Sequence, residues 1–247
     1  MRTKIIAHRG ASAYAPENTP AAFKLAIEQG ADGLELDVHL TKDGEVVVAH
    51  DLQLERVSDG IGRICDYTLA ELKQLNFNKT FPDSPRCVLP TLAEVYEMVA
   101  ATERELVVNV ELKTIEMLYP DMPEKLIQLE QKHGMAGRIL YSSFNHYSLM
   151  ALRQYDANAD IGLLYELGMV DPWVYAKYLQ AGAIHPHHYV LMALPETIAR
   201  CHEQGIKVNA WTVDDPRAMG FLMQAGVDML ITNKPDVAVK IRADVQS

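Results

Sequence analysis

Short apolar runs alternate with longer amphipathic stretches along nearly the whole chain. The short runs are typical of buried strands, and the longer stretches have the apolar spacing of helices. Several of the longer stretches begin with Pro or Thr and end near Gly, as helices commonly do. The pattern predicts strands over 4–7, 33–38, 46–49, 106–112, 139–142, 161–165, 183–185, 208–213 and 229–232. It predicts helices over 19–29, 91–101, 123–133, 147–154, 195–204 and 216–224.

This alternation is typical of an α/β fold with a parallel sheet, either open or closed into a barrel. Nine strands are one too many for an eight-stranded barrel. The stretch between 33–38 and 46–49 holds the hairpin signal Asp43-Gly44 and is too short for the roughly dozen residues of a parallel crossover. We therefore expect 46–49 to pair antiparallel with 33–38. Because no glycine-rich phosphate loop follows the first strand, we predict a (β/α)8 TIM barrel rather than a doubly wound open sheet.

Residues 51–89 interrupt the alternation of strands and helices. They hold many turn-forming residues and no convincing strand. Loops of this length inside a compact domain are usually functional. We predict that residues 1–247 form a single domain, in which 51–89 is a small inserted subdomain over the barrel mouth with a short helix over 69–75.

Composition narrows the classes of function. The chain has 247 residues with 49% apolar and 23% charged side chains, which is ordinary for a soluble globular protein. Its net charge of −10 argues against non-specific nucleic-acid binding. No apolar run approaches the roughly 18 residues of a membrane span, and the start of the chain lacks the apolar region of a secretion signal. An odd number of cysteines without close spacing predicts reduced thiols in a cytoplasmic protein: Cys65, Cys87 and Cys201.

Acidic side chains stand at the ends of predicted strands, where the active site of a barrel lies. Glu35 and Asp37 are two residues apart on one strand and therefore share a face. Such a pair repels unless one group is protonated or a cation lies between them. Glu111, on another strand, could supply a third oxygen ligand, and such a set favours Mg²⁺ or Ca²⁺ over zinc. The alternative is a set of carboxylates paired with Lys113 or Arg9.

Two histidines flank this predicted metal site. The hairpin brings His50 beside the carboxylate pair, and His8 ends the first strand. Imidazoles titrate near neutral pH and suit general acid and base roles. Arg9 and Lys113 supply the cations that an acidic protein needs in order to hold a phosphate. Trp211 could form an apolar wall for an alcohol or glycerol group. It could equally be a residue of the barrel core.

These residues belong to a series of short motifs that runs from the first strand to the last. The motifs are His8-Arg9-Gly10, Ala15-Pro16-Glu17-Asn18-Thr19, Gly33-Leu34-Glu35-Leu36-Asp37-Val38, Thr41-Lys42-Asp43-Gly44, His50-Asp51, Val110-Glu111-Leu112-Lys113, Ser143-Phe144, Ala210-Trp211-Thr212-Val213 and Ile231-Thr232-Asn233-Lys234-Pro235. In this order they resemble the signatures of the glycerophosphodiester phosphodiesterase family.

The resemblance implies a (β/α)8 barrel with a small inserted subdomain and one bound divalent cation. It implies three metal ligands, Glu35, Asp37 and Glu111. It implies His8 and His50 as the acid/base pair, and Arg9 and Lys113 as phosphate ligands. Asn18 is expected to be a further hydrogen-bonding residue of the active site. The cluster His185-Pro186-His187-His188 ends a predicted strand, where it could contact substrate or form a capped turn.

We therefore predict hydrolysis of glycerophosphodiesters to sn-glycerol 3-phosphate and an alcohol. The sequence leaves open the head group, the ion, the oligomeric state, which histidine is the acid, and whether water or the glycerol 2-hydroxyl attacks phosphorus. One alternative is a lipid enzyme that cleaves lysophospholipids or forms cyclic phosphates. It would need an exposed apolar rim on 51–89, where the only two phenylalanines are Phe77 and Phe81, and this scarcity favours a soluble substrate. A second alternative is an inactive barrel that serves as a binding protein, but every predicted catalytic and metal-binding residue is present.

Overall fold

The computed structural model describes residues 2–246, in which nine strands and ten α-helices follow one another. The strands are β1 (Lys4–His8), β2 (Gly33–Leu40), β3 (Val46–Val48), β4 (Val107–Leu112), β5 (Ile139–Ser143), β6 (Ile161–Tyr165), β7 (Ala183–Pro186), β8 (Lys207–Ala210) and β9 (Met229–Thr232). The helices are α1 (Pro20–Glu28), α2 (Leu69–Leu72), α3 (Leu92–Ala100), α4 (Met122–Lys132), α5 (His146–Leu152), α6 (Pro172–Tyr178), α7 (His188–Ala193), α8 (Glu196–Glu203), α9 (Pro216–Ala225) and α10 (Pro235–Val245).

Eight parallel strands close into a barrel, and β3 stands outside it. The order around the barrel is β1-β9-β8-β7-β6-β5-β4-β2, and β1 pairs with β2 to close the ring. β3 runs antiparallel to β2, with Val48 opposite Val38. The turn between them needs the left-handed backbone of Gly44 (φ +81°), whose N–H donates to the Thr41 carbonyl at 3.0 Å. The predicted (β/α)8 barrel and the predicted hairpin are both confirmed.

Successive residues of the barrel strands face outward and inward in turn. On β2, the apolar residues Leu34, Leu36 and Val38 pack into the main core shared with the surrounding helices. Glu35 and Asp37 between them therefore face the barrel interior. A separate apolar cluster fills part of that interior, consisting of Ile6, Leu140, Met229 and Ile231. The interior is thus apolar in one layer and polar toward the mouth.

The observed elements differ from the predicted ones at several places. The strand predicted over 208–213 ends at Ala210, because beyond it Trp211 makes only an isolated bridge to His187. The helix predicted over 69–75 ends at Leu72. Three helices were not predicted, namely α6, α7 and α10.

The segment 51–89 packs around a small core of its own. It contains a 3₁₀ turn at Ile64–Asp66 and helix α2. Its apolar side chains pack against Val47 and Ala49, at the outer hairpin, and include Leu54, Ile64, Leu72, Phe77 and Leu89. The division of 1–247 into one domain with this segment as a subdomain stays a prediction.

Two further features bear on the expectations from composition. Within residues 2–246, no helix combines the length and the apolar character needed to cross a membrane. Cys65, Cys87 and Cys201 are all unpaired in the described chain. The cytoplasmic location stays a prediction.

We expect Gly162→Ala to destabilise the barrel. A Cβ atom at Gly162 would lie 2.1 Å from Nε2 of His185 on the neighbouring strand. His185 is fully buried and accepts a hydrogen bond from Asn209 Nδ2 at 2.8 Å, so moving its ring aside would disturb that bond and the surrounding interior. Such overpacking costs about 1–3 kcal/mol of unfolding free energy, which urea denaturation would measure. Gly168→Ala is the control, because a Cβ there meets nothing within 4 Å; equal unfolding free energies for both variants would contradict the prediction.

Candidate active site

The register of the barrel strands brings the three predicted metal ligands together. His8 is the register partner of Glu35, and Asp37 is the register partner of Glu111. One carboxylate oxygen from each of Glu35, Asp37 and Glu111 lies within 4.8 Å of the others, and all three side chains are buried. The barrel mouth therefore holds a three-carboxylate group that could bind a metal ion.

The electrostatics of the three-carboxylate group fit a hard divalent cation. Burial and the neighbouring negative charges raise the pKa of Glu35 well above its usual range. Burial, opposed by Lys113 and reinforced by Asp37, raises the pKa of Glu111 to about 7. The pKa of Asp37 is lowered despite its burial, because the cations of Lys113 and Arg9 outweigh the loss of solvation. An all-oxygen donor set suits Mg²⁺ or Ca²⁺, and a cation would relieve this repulsion.

Lys113 lies against the same carboxylates. Its Nζ donates to Glu111 Oε1 at 2.6 Å and is 3.1 Å from Asp37 Oδ1. That Asp37 oxygen is buried and accepts no well-aligned hydrogen bond from the described residues. Apart from the Lys113 ammonium, this oxygen has no partner among the described residues, so it could serve as a metal ligand.

Arg9 and Asn18 approach Asp37 from the loop that follows β1. Arg9 Nε lies 3.4 Å from Asp37 Oδ2, and Asn18 Nδ2 donates to the same oxygen at 2.9 Å. Both residues have left-handed backbones, with φ of +55° for Arg9 and +56° for Asn18, which L-residues rarely adopt. The Arg9 N–H also donates to Glu35 Oε2 at 3.0 Å. Such strained backbone persists where surrounding contacts enforce it, and it is common at functional sites.

The neighbours of His8 fix the orientation of its ring. Asn233 donates through Nδ2 to Asp214 Oδ2, so its Oδ1 faces His8 and accepts from Nδ1 at 2.7 Å. His8 Nε2 is then the unprotonated nitrogen of the neutral ring and lies 3.9 Å from Glu35 Oε2. Burial, reinforced by the charge of Arg9, lowers the pKa of His8 to about 4.

His50 follows the outer hairpin strand and has a similar arrangement. Its Nδ1 lies 2.6 Å from Asp51 Oδ1, so the ring donates there and leaves Nε2 free. Burial lowers the pKa of His50, although the charge of Asp37 opposes that shift. A further histidine, His39, bonds through Nε2 to the His50 carbonyl at 3.1 Å and through Nδ1 to the Tyr119 hydroxyl at 3.1 Å.

Two cavities meet at the carboxylates. One has a volume of about 240 Å³, and its lining includes His50, Lys113, Glu111 and Phe144. The other, of about 20 Å³, is lined by residues that include His8, Glu35, Glu111 and Trp211. The rings of Phe144 and Trp211 pack edge to face at 5.4 Å between them. The residues predicted as catalytic, metal-binding or substrate-binding thus lie around one mouth.

The remaining histidines of the chain segment 185–188 have different surroundings. His185 is fully buried and hydrogen-bonded to Asn209, which makes it a residue of the barrel interior. His187 stacks on His188 at 4.6 Å and packs edge-on against Trp211 at 5.0 Å.

Several residues that contact the site were not singled out from the sequence, and four of them form the hydrogen-bonded surroundings of His8, Arg9 and His50. Three of them, Glu17, Asp51 and Asn233, stand inside the motifs quoted above. Their place in these motifs is a signal that could have identified them. The fourth, Arg56, lies in the inserted segment and bonds to both Glu17 and Asp51. Nothing in the surrounding sequence marks it.

Comparison with known proteins agrees with this geometry. The model of the glycerophosphoryl diester phosphodiesterase family matches residues 8–237. A protein named glycerophosphodiester phosphodiesterase from Caldanaerobacter subterraneus subsp. tengcongensis is 42% identical over 245 residues, which cover 98% of each chain. One of the same name from Bacillus altitudinis is 35% identical over 246 residues, covering 99% of this chain and all of the relative.

Among solved structures, an Oleispira antarctica phosphodiesterase in complex with the product sn-glycerol-3-phosphate is similar to this chain. It has a TM-score of 0.88 and 29% identity, covering 100% of this chain and 98% of its own. The stretch matched by the family model begins at His8 and extends past Asn233, so it includes all the residues gathered at the mouth. The chain belongs to the glycerophosphoryl diester phosphodiesterase family.

Proposed function

We propose that the protein hydrolyses glycerophosphodiesters to sn-glycerol 3-phosphate and an alcohol, with one bound divalent cation, Mg²⁺ or Ca²⁺. The observation that carries the proposal is the three-carboxylate group lying with two imidazoles and two cationic side chains at one barrel mouth. The names of the curated relatives and the product bound to the Oleispira antarctica phosphodiesterase support this choice of substrate.

The carboxylates and cations have separate roles in this proposal. Glu35, Asp37 and Glu111 would hold the divalent cation, which polarises a phosphoryl oxygen and offsets negative charge when it is bound. Arg9 can chelate two phosphate oxygens through its planar fork, and Lys113 acts as a point charge. In an acidic protein these two side chains provide the local positive charge that attracts an anionic substrate.

The histidines move the protons. One Nε2 accepts the proton of the attacking hydroxyl as the new P–O bond forms. The other histidine, in its protonated form, donates to the oxygen of the departing alcohol as the old P–O bond breaks. Asn233 and Asp51 hold the two Nδ1 atoms and so keep both Nε2 atoms available for these transfers.

The two cavities suggest where the two ends of the substrate lie. Trp211 donates through Nε1 to the His185 carbonyl at 2.7 Å, which occupies its polar edge and leaves its ring as an apolar wall for one alcohol group. The larger cavity is bounded partly by Asp51 and Leu52, at the start of the inserted segment. In this proposal 1–247 act as one domain, and the insertion contributes to the pocket for the second group.

A lipid substrate is a second candidate, and one observation favours it. Exposed apolar side chains lie in the loop after β4, where Ile115 is 69% and Leu118 is 68% exposed. A groove of about 240 Å³ next to them is lined by residues that include Leu118, Tyr119 and Tyr147. These residues lie outside 51–89, the segment on which the sequence predicts the apolar rim of a lipid enzyme. A groove of this kind could accept part of an acyl chain.

We expect glycerol 3-phosphate to be released from glycerophosphocholine, and we expect EDTA to abolish the release. Excess Mg²⁺ or Ca²⁺ should restore it, because the carboxylates need a cation in order to act on the phosphate. A coupled glycerol 3-phosphate assay measures the rate. Activity that ignores EDTA would contradict the metal-dependent proposal. Lysophosphatidylcholine tested beside glycerophosphocholine separates the two candidates, since a higher kcat/KM for the lipid would favour the second.

A further inference from the structure

Arg56, in the inserted segment, joins two carboxylates that each hold a residue of the proposed active site. We infer that Arg56 is a positioning residue, which orients His50 through Asp51 and Arg9 through Glu17. The inference rests on the proposed function only in that His50 and Arg9 act on the substrate. The contacts themselves do not depend on it.

The first set of contacts links Arg56 to Arg9 through Glu17. Arg56 donates in a bidentate manner to Glu17, from Nη1 to Oε2 at 2.7 Å and from Nη2 to Oε1 at 2.8 Å. Glu17 Oε1 also accepts from Arg9 Nη1 at 2.9 Å. Glu17 is therefore shared between two guanidinium groups. Without Arg56 it would pair with Arg9 alone and draw that side chain away from the phosphate.

The second set of contacts links Arg56 to His50 through Asp51. Arg56 Nε donates to Asp51 Oδ2, while Asp51 Oδ1 accepts from His50 Nδ1 at 2.6 Å. The two oxygens of Asp51 thus have one partner each, which fixes the plane of the carboxylate. Without Arg56 the carboxylate could rotate, and the proton on the neutral imidazole would no longer be confined to Nδ1.

Both sets of contacts depend on the shape of the guanidinium group of Arg56. Three of its nitrogens, in one plane, contact three carboxylate oxygens from two separate loops. Lysine has the same charge but concentrates it at one flexible ammonium, so it cannot reproduce the fork. The two carboxylates are partly shielded, with the Glu17 side chain 16% and the Asp51 side chain 27% exposed, against 43% for Arg56. Charge-assisted bonds of this kind are stronger than those of open surface pairs.

The test compares Arg56→Ala and Arg56→Lys with Arg63→Ala. Arg63 lies in the same segment and is exposed to a similar extent (45% against 43% for Arg56); within residues 2–246 its ion pair is with Asp66, which is not a residue of the proposed site. We expect Arg56→Ala to lower kcat by about 10- to 100-fold and to raise KM, because both proton transfer and phosphate binding lose their orientation. Arg56→Lys should recover only part of kcat, and Arg63→Ala should match the wild type. Millimolar guanidinium should partly restore Arg56→Ala.

Equal kcat and KM in Arg56→Ala and Arg63→Ala would overturn the inference, and so would full kcat in Arg56→Lys. If Arg56→Ala does not unfold cooperatively in urea, the Lys variant carries the comparison. A readout that needs no substrate is the ¹⁵N NMR spectrum of the His50 ring. It should report the Nδ1–H tautomer in wild type and Arg63→Ala, and a mixture in both Arg56 variants. If the wild type releases no glycerol 3-phosphate, the proposed function fails, while an unchanged His50 spectrum is what would refute the role of Arg56.

Discussion

Replacing His8 or His50 with Asn is expected to lower kcat by about 10²- to 10⁴-fold and to leave KM little changed. An Asn amide can still donate to Asn233 from position 8 or to Asp51 from position 50, so the local hydrogen bonds survive. It cannot accept and release a proton in the working pH range, which is the property that Nε2 would supply. Steady-state kinetics with glycerophosphocholine measure both parameters.

His202→Asn is the matched control. His202 also bonds to a carboxylate, with Nε2 2.8 Å from Asp228 Oδ2, but it lies at the amino-terminal end of the barrel strands. We expect no change in kcat there. Full turnover in the position 8 or position 50 variant would refute the assignment of that histidine to proton transfer.

The same two variants can show which histidine is the acid. A p-nitrophenyl ester of glycerol phosphate has a leaving group that departs without being protonated. The variant that lacks the acid should therefore recover much of its rate on this ester, and the variant that lacks the base should not. Equal deficits on both substrates would contradict the division of the two roles between the histidines.

Most of the fold could be predicted because its signals are local. The turn at Asp43-Gly44 forced β3 to return antiparallel, and that single inference reduced nine strands to a barrel of eight. The two-residue spacing likewise placed Glu35 and Asp37 on one face of β2, and their strand-end positions and that of Glu111 predicted a site at the barrel mouth. The register between β2 and β4 then brings the three carboxylates together. Sequence patterns predict the order of strands around the barrel, but they do not give this register.

The missed helix α10 shows where hydrophobic patterning fails. Its buried positions are Pro235, Ala238 and Arg242, which have helical spacing but include a charged residue. Arg242 is buried because it forms an ion pair with Asp32 and donates to the Thr3 carbonyl at 2.9 Å. Both partners come from the other end of the chain, so no local pattern could mark Arg242 as part of a core.

The role of Arg56 cannot be predicted from the sequence, for a related reason. Its partners, Glu17 and Asp51, come from loops after two different strands, and they meet only because β1 and the outer hairpin lie side by side. The distance from Arg56 to Asp51 depends on the path of the inserted segment, which has few regular elements. The site could therefore be predicted at the strand ends, where geometry is regular, and not where loops close over them.

We expect Glu35→Gln to lower kcat/KM by about 10²- to 10⁴-fold, the equivalent of several kcal/mol of transition-state stabilisation. Gln has the same shape and can still accept the hydrogen bond from the Arg9 N–H through its side-chain oxygen. It lacks the negative charge that a divalent cation requires. The loss should therefore appear in cation affinity, measured by isothermal titration calorimetry with Mg²⁺ and with Ca²⁺.

Glu35→Gln should lose activity and cation affinity, but in EDTA it should not lose stability. Burial and the neighbouring carboxylates raise the pKa of Glu35, so without a cation the wild type must either take up a proton there or bear the repulsion, and a neutral amide avoids both. In EDTA, Glu35→Gln should therefore have an unfolding free energy equal to or above that of the wild type. A cation at 100 times its Kd should stabilise the wild type by about 2.7 kcal/mol and the variant much less.

Glu130→Gln is the control for changing a carboxylate to an amide outside the mouth, at a position that is half-buried. Glu130 accepts from the Tyr141 hydroxyl at 2.8 Å on helix α4, outside the mouth, so its variant should keep wild-type activity and cation affinity. A Glu35→Gln protein that binds the cation as tightly as the wild type would remove Glu35 from the ligand set. A Glu35→Gln protein that is strongly destabilised in EDTA would mean that the carboxylate at position 35 stabilises the fold. Only lost cation affinity together with retained stability fits a metal ligand.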